Sequence, residues 1–163
     1  MKLQKNRTVR LARGGLIAAL YVVLTLISAV FGLSSGVIQL RLSEALTVLP
    51  FFLPEAVPAL AIGCILANFL TAAPIYDVIF GSLATLLGAL GARAMRRWRY
   101  LVPLPTVLAN GLIIPLVLIF AYGVPDGYFF LLGTVTAGEV LSAYVLGMLL
   151  LVTLEKRCKG LFT

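Results

Sequence analysis

Asn68, Asn110 and Glu139 lie inside long apolar runs, and Arg41-Leu42-Ser43-Glu44 opens another. Amides, carboxylates and a guanidinium offer complementary donors and acceptors, the equipment for holding a polar small molecule. Within a membrane they are costly. Insertion scales put a charged side chain near the bilayer centre at roughly 2.5–3.5 kcal/mol, so an ionisable residue there marks a functional site by default. A chain with 61% hydrophobic residues and a mean hydropathy of +1.09 inserts without any of them. The reading is a polar pocket that opens to the outside.

The elements that position these residues follow from composition. The chain has 163 residues, which suits one transmembrane domain over 1–163, and 12% are charged, against about 25% in a typical soluble protein. Continuous apolar runs in lipid demand helices, because each backbone N–H and C=O must be satisfied within its own segment. The net charge is +7. Its bases fall into three clusters, Lys2 to Arg13, Arg93 to Arg99 and Lys156 to Lys159, with Arg41 apart. Clusters at span ends are the positive-inside pattern and account for the basic balance without nucleic acid. The chain has no histidine, which excludes Ser-His or Cys-His catalysis and a histidine metal site. Cys64 and Cys158 fall at different depths and are not expected to pair. The first run lacks an Ala-x-Ala cleavage site and is read as a retained span, not a signal peptide.

Five apolar segments are plain: Leu11–Val30, Ala56–Thr71, Val78–Met95, Leu101–Ala121 and Tyr128–Leu154. Val37–Phe52 is shorter and carries Arg41 and Glu44. If it crosses, all three basic clusters fall on one side. The expectation is therefore an all-α protein of six transmembrane helices with both termini cytoplasmic. The second span is too short to cross upright, so it is tilted, or partly unwound where protein surrounds it. At about 1.5 Å per residue, Glu139 and Asn110 lie near mid-membrane. Asn68, Arg41, Glu44 and Asp77 lie toward the outer side.

Each candidate has a structural alternative. Glu139 is either a ligand-binding acid or a carboxyl held by a neighbouring helix. Asn68 and Asn110 are site residues or inter-helix links. Arg41 and Glu44 can pair with each other, and Asp77 can complement a helix dipole. Gly14-x-x-x-Ala18 and Gly15-x-x-x-Ala19 are small-x-x-x-small pairs, which serve packing within the chain or docking of a second membrane protein. Tyr21, Thr25 and Ser28 continue the first pair's face outward. There is no Gly-x-x-x-x-Gly-Lys-Ser/Thr loop, nor two inverted halves with broken helices, so a moved solute is expected to draw its energy from a partner. The alternative is a stand-alone secondary transporter or channel.

The segments 17–25, Gln39-Leu40-Arg41-Leu42-Ser43-Glu44-Ala45-Leu46-Thr47-Val48-Leu49-Pro50, 62–68 ending in Asn68, and 77–86 from Asp77 resemble the QueT family. The Arg-x-Ser-Glu-Ala-Leu-Thr block is the most specific part. The resemblance implies the substrate-binding (S) component of an energy-coupling factor (ECF) importer in a prokaryotic plasma membrane. Such a subunit is not an enzyme. It carries no cofactor of its own and works with a transmembrane coupling subunit and two cytoplasmic ATPases that use ATP. Small residues on the first helix, here Gly14, Ala18, Gly15 and Ala19, are then candidates for docking. The implied substrates are queuosine precursors, 7-deazaguanines bearing a 7-cyano or 7-aminomethyl group. On that reading Glu139 takes the guanine-like N1–H and amino edge. Glu44 or Asp77 pairs with an aminomethyl cation. Asn68, Asn110 and Gln39 read the carbonyl and ring nitrogens, and Tyr21 or Phe80 stacks on the base.

Overall fold

The computed structural model describes residues 2–33 and 40–157, with side chains from Arg7 onward. Six helices follow in order. These are α1 (Lys2–Val30), α2 (Leu42–Phe51), α3 (Ala56–Leu70), α4 (Asp77–Ala94), α5 (Arg99–Tyr122) and α6 (Tyr128–Arg157). The described residues form no strand. Four helices, α1, α4, α5 and α6, are long and apolar enough to cross a membrane. Leucine stripes at helical spacing, such as Leu83, Leu87 and Leu90 on α4 and Leu108, Leu112 and Leu116 on α5, stay exposed on their outer faces. That is the expected state of a surface whose solvent is lipid.

The two short helices differ from each other. α3 has 15 residues, roughly 22 Å of α-helix. α2 has ten residues and is a 3₁₀-helix, roughly 20 Å long at about 2.0 Å per residue. Neither equals the ~30 Å of a bilayer core. α2 is sheathed by protein, packing against α1, α3, α4 and α6, and Ser43, Glu44 and Leu46 to Pro50 are buried along it.

A 3₁₀ run of this length is unusual, and side chains from other helices support its ends. The Leu42 N–H donates to Ser28 Oγ of α1 at 2.9 Å. Arg93 Nη1 of α4 donates to the carbonyls of Pro50 (3.0 Å) and Phe51 (3.3 Å). Within it, Thr47 Oγ1 donates to the Glu44 carbonyl at 2.6 Å. Orphan backbone groups that water would serve in a soluble protein are thus served by the bundle.

Close approach around this strut depends on glycines. A Cβ on Gly147 would meet Val48 Cγ1 at 2.9 Å, and one on Gly63 would meet Tyr21 Cβ at 2.9 Å and the Ala18 carbonyl at 3.0 Å. Val48 of this strut forms a fully buried cluster with Ala92, Val102 and Leu151. α5 stops at Gly123, whose left-handed φ of 64° lets the Gly123 and Val124 N–H groups close onto Ile119 and Leu118, each at 3.2 Å.

Candidate functional site

The start of α2 is fixed by a polar face of α1. Tyr21, Thr25 and Ser28 recur at helical spacing, and each hydroxyl reaches α2. Tyr21 OH donates to Glu44 Oε1 at 2.5 Å. Thr25 Oγ1 lies 2.9 Å from Ser43 Oγ, and Ser28 receives the Leu42 N–H. This face therefore aims Glu44. It does not line a cavity. Tyr21 is 1% exposed and packed in the core, so it positions the carboxylate and offers no face for stacking.

Glu44 points into a small space bounded by Arg41, Asn110, Ile114, Val135 and Glu139. Its volume is about 10 Å³, room for roughly one water. Asn110 comes from mid-α5 and Glu139 from mid-α6. The two helices close here because Gly111 has no side chain; a Cβ there would lie 2.6 Å from Thr136 Oγ1. Glu44 and Glu139 are 2% and 7% exposed, and both line this one space.

Several polar atoms at this place are buried without a hydrogen-bond partner: Glu44 Oε2, Glu139 Oε2, Asn110 Nδ2 and, one turn beyond Glu139, Ser142 Oγ. Asn110 lies alongside Glu139 without a well-formed bond. Buried polar atoms are normally paired, and an unpaired one costs about 1–3 kcal/mol. Three such atoms, on Glu44, Glu139 and Asn110, gather around one space.

Asp77 stands beside this group as a clamp. Its Oδ2 takes Arg41 Nη2 at 3.5 Å and Tyr122 OH at 3.1 Å. That ties the entry of α2 to the first turn of α4 and the last of α5. Asn68 donates to the Asp77 carbonyl at 3.1 Å and approaches Cys64 Sγ at 3.6 Å. It supports the clamp and does not line the space. Phe80, offered above for stacking, is exposed on the outer face with Leu83 and Phe120, because the turn that carries Asp77 inward carries Phe80 outward. Gln39 lies outside the described residues, as does Cys158.

Each acid of this group sits at a departure from α geometry. Glu44 is on the 3₁₀-helix, Asp77 opens a π turn (Asp77–Gly81), and Glu139 immediately precedes a second π segment (Val140–Leu146). Such π turns frequently accompany functional sites. Tyr122 lies just past the Leu101–Ala121 run and is not among the residues the sequence singles out. Its signal was a hydroxyl at the same level as Asp77.

Gly14, Gly15 and Ala18 line a groove between α1 and α3 with Pro58 and Ala59. Gly14 and Ala18 face α3, where a Cβ on Gly14 would lie 3.9 Å from Ala59 Cβ. Gly15 and Ala19 are exposed, and nothing lies within 4 Å of a Cβ on Gly15.

Residues 11–156 match the family model described as QueT transporter. The chain belongs to the QueT transporter family. That match encloses every described residue of the site. The family is one of transporters, not enzymes, and the four helices long and apolar enough to cross a membrane are those of a multi-pass membrane protein. Among curated proteins, the queuosine precursor transporter QueT of Lactococcus lactis subsp. cremoris (strain MG1363) is 39% identical over 85 residues, 52% of this chain and 50% of that protein. The matched region thus spans about half the length of that relative. No solved structure matches the chain.

Proposed function

We propose that this chain is the substrate-binding subunit of an ECF-type importer and takes up a queuosine precursor, a 7-deazaguanine. The observation that carries the reading is the set of unpaired buried atoms on Glu44, Glu139 and Asn110 around one space. Glu139 accepts the N1–H and exocyclic amino group of the base side by side, and the Asn110 amide donates to its carbonyl. A bicyclic base exceeds the present space, so binding separates α2 from α5 and α6. The 3₁₀ and π segments beside the site are the elements suited to absorb that movement.

In this account all six helices cross the plasma membrane of a prokaryote, with both termini cytoplasmic. The exposed Gly15/Ala19 pair docks a transmembrane coupling subunit, whose ATPase partners supply the energy. The L. lactis relative, named as a queuosine precursor transporter, supports the choice of substrate. Proteoliposomes holding this chain alone provide the test. The account predicts saturable deazaguanine binding without accumulation. Accumulation driven by an ion gradient contradicts it and establishes a self-powered transporter.

A further inference from the structure

Arg93 belongs by sequence to a basic cluster at a span end, where its charge marks topology. The structure gives it a second task. It is half-buried, and its Nη1 donates to the carbonyls of Pro50 (3.0 Å) and Phe51 (3.3 Å), at the far end of α2 from Glu44. Those carbonyls lack a donor in their own segment. Pro54 stands three residues after Phe51 and four after Pro50, and proline has no N–H. The Leu53 N–H, three after Pro50, is taken by the Leu49 carbonyl at 3.0 Å. Pro50 is fully buried, so a guanidinium from α4 supplies what the segment and water do not.

The winding of α2 decides where Glu44 points. A 3₁₀-helix turns about 120° and rises about 2.0 Å per residue, an α-helix about 100° and 1.5 Å. Glu44 stands six residues before Pro50. Over that length, relaxation toward an α-helix rotates Glu44 by about 120° relative to Pro50 and draws it about 3 Å closer. Either displacement breaks the bond from Tyr21 OH and turns the carboxylate out of the space it shares with Arg41, Asn110 and Glu139. At ten residues the 3₁₀ form is intrinsically the poorer one. It persists because both ends are held, Leu42 by Ser28, and Pro50 and Phe51 by Arg93.

We infer that Arg93 is a positioning residue of the substrate site: it holds the winding of α2 and, through it, the aim of Glu44. This inference rests on the reading of the Glu44 space as the substrate site. It adds a residue that governs that site without touching the ligand.

Arg93→Met tests this against Arg96→Met, which removes an exposed charge of the same cluster. Calorimetry on the purified full chain reads the Kd of 7-aminomethyl-7-deazaguanine. Ultraviolet resonance Raman of the ligand-free protein reads the Tyr21–Glu44 hydrogen bond, with Tyr21→Phe identifying the Tyr21 signal. Arg93→Met is expected to weaken binding at least about tenfold, the equivalent of one charge-assisted hydrogen bond, and to lose the hydrogen-bonded Tyr21 signal. Arg96→Met keeps that signal and a Kd within about threefold of wild type. Arg93→Lys, a point charge in place of a fork, falls between the two. A folded Arg93→Met with an intact Tyr21 signal overturns the proposal even if its melting temperature falls, because Arg93 is then a stabilising contact only. If Arg93→Met does not fold, wild-type values of both readouts in Arg93→Lys overturn it. Absence of deazaguanine binding by folded wild type rejects the substrate reading, and the ligand-free Tyr21 signal still decides the positioning claim.

Discussion

Replacing Glu139 by glutamine keeps the shape of the side chain and removes its charge. In the proposed complex, the carboxylate accepts two N–H donors from the base. The amide keeps one acceptor and turns a donor toward the other N–H. One charge-assisted bond is lost, about 1.5–3 kcal/mol, and the remaining one loses its charge assistance, about 1 kcal/mol more. The sum, about 2.5–4 kcal/mol, corresponds to a roughly 60- to 700-fold weaker Kd at about 1.4 kcal/mol per decade. The ligand-free protein behaves oppositely. Glu139 is 7% exposed with one unpaired oxygen, so the glutamine removes a buried acid rather than a bond. Its Tm in detergent stays level or rises. Calorimetry with 7-aminomethyl-7-deazaguanine and a thermal melt of the same samples read both effects. A Kd within about threefold of wild type refutes the placement of the base on Glu139. A Tm lowered by several degrees shows instead a structural carboxyl.

Other substitutions separate the parts of the account. Asp77→Asn removes the anion that Arg41 and Tyr122 share and is expected to lower stability by about 1–3 kcal/mol, with Tyr122→Phe costing about 1 kcal/mol; equal melts for all three proteins would dissolve the clamp. Gly63→Ala must push α1 from α3 and is expected to cost about 1–3 kcal/mol, whereas Gly133→Ala, with nothing within 4 Å of the new Cβ, stays within about 0.5 kcal/mol; denaturation of the pair in detergent checks the contrast. Gly15→Leu alters an exposed face, so ligand affinity and melting stay unchanged while uptake by cells carrying the coupling module is lost. Retained uptake places the docking surface elsewhere.

The helices were legible because lipid leaves few choices. Apolar runs such as Leu101–Ala121 had to be helical, and Pro, Gly and charge marked their ends to within a few residues of α5 and α6. The polar residues were legible for the same reason: nothing about insertion explains Glu139 or Asn110. Their neighbours were not. The 3₁₀ form of α2 depends on Ser28 and Arg93, which lie far off in sequence and serve its backbone from other helices. The π segments at Asp77 and after Glu139 leave no local pattern, so the outward placement of Phe80 could not be read. Tyr21 is aromatic and close to the site, which suggested stacking; its burial against Glu44 is a tertiary fact. The packing of the Gly14 face toward Ala59 of α3 is likewise a tertiary fact that the repeated small-residue spacing does not carry.

The central claim is that the space between α2, α5 and α6 is where the substrate sits. A structure of the full chain bound to 7-aminomethyl-7-deazaguanine tests it most directly. The account predicts the base between Glu44 and Glu139, its N1 and amino group within hydrogen-bond distance of the Glu139 carboxylate. A base seated in the groove between α1 and α3, or against the lipid-facing surface of α4 and α5, would contradict it.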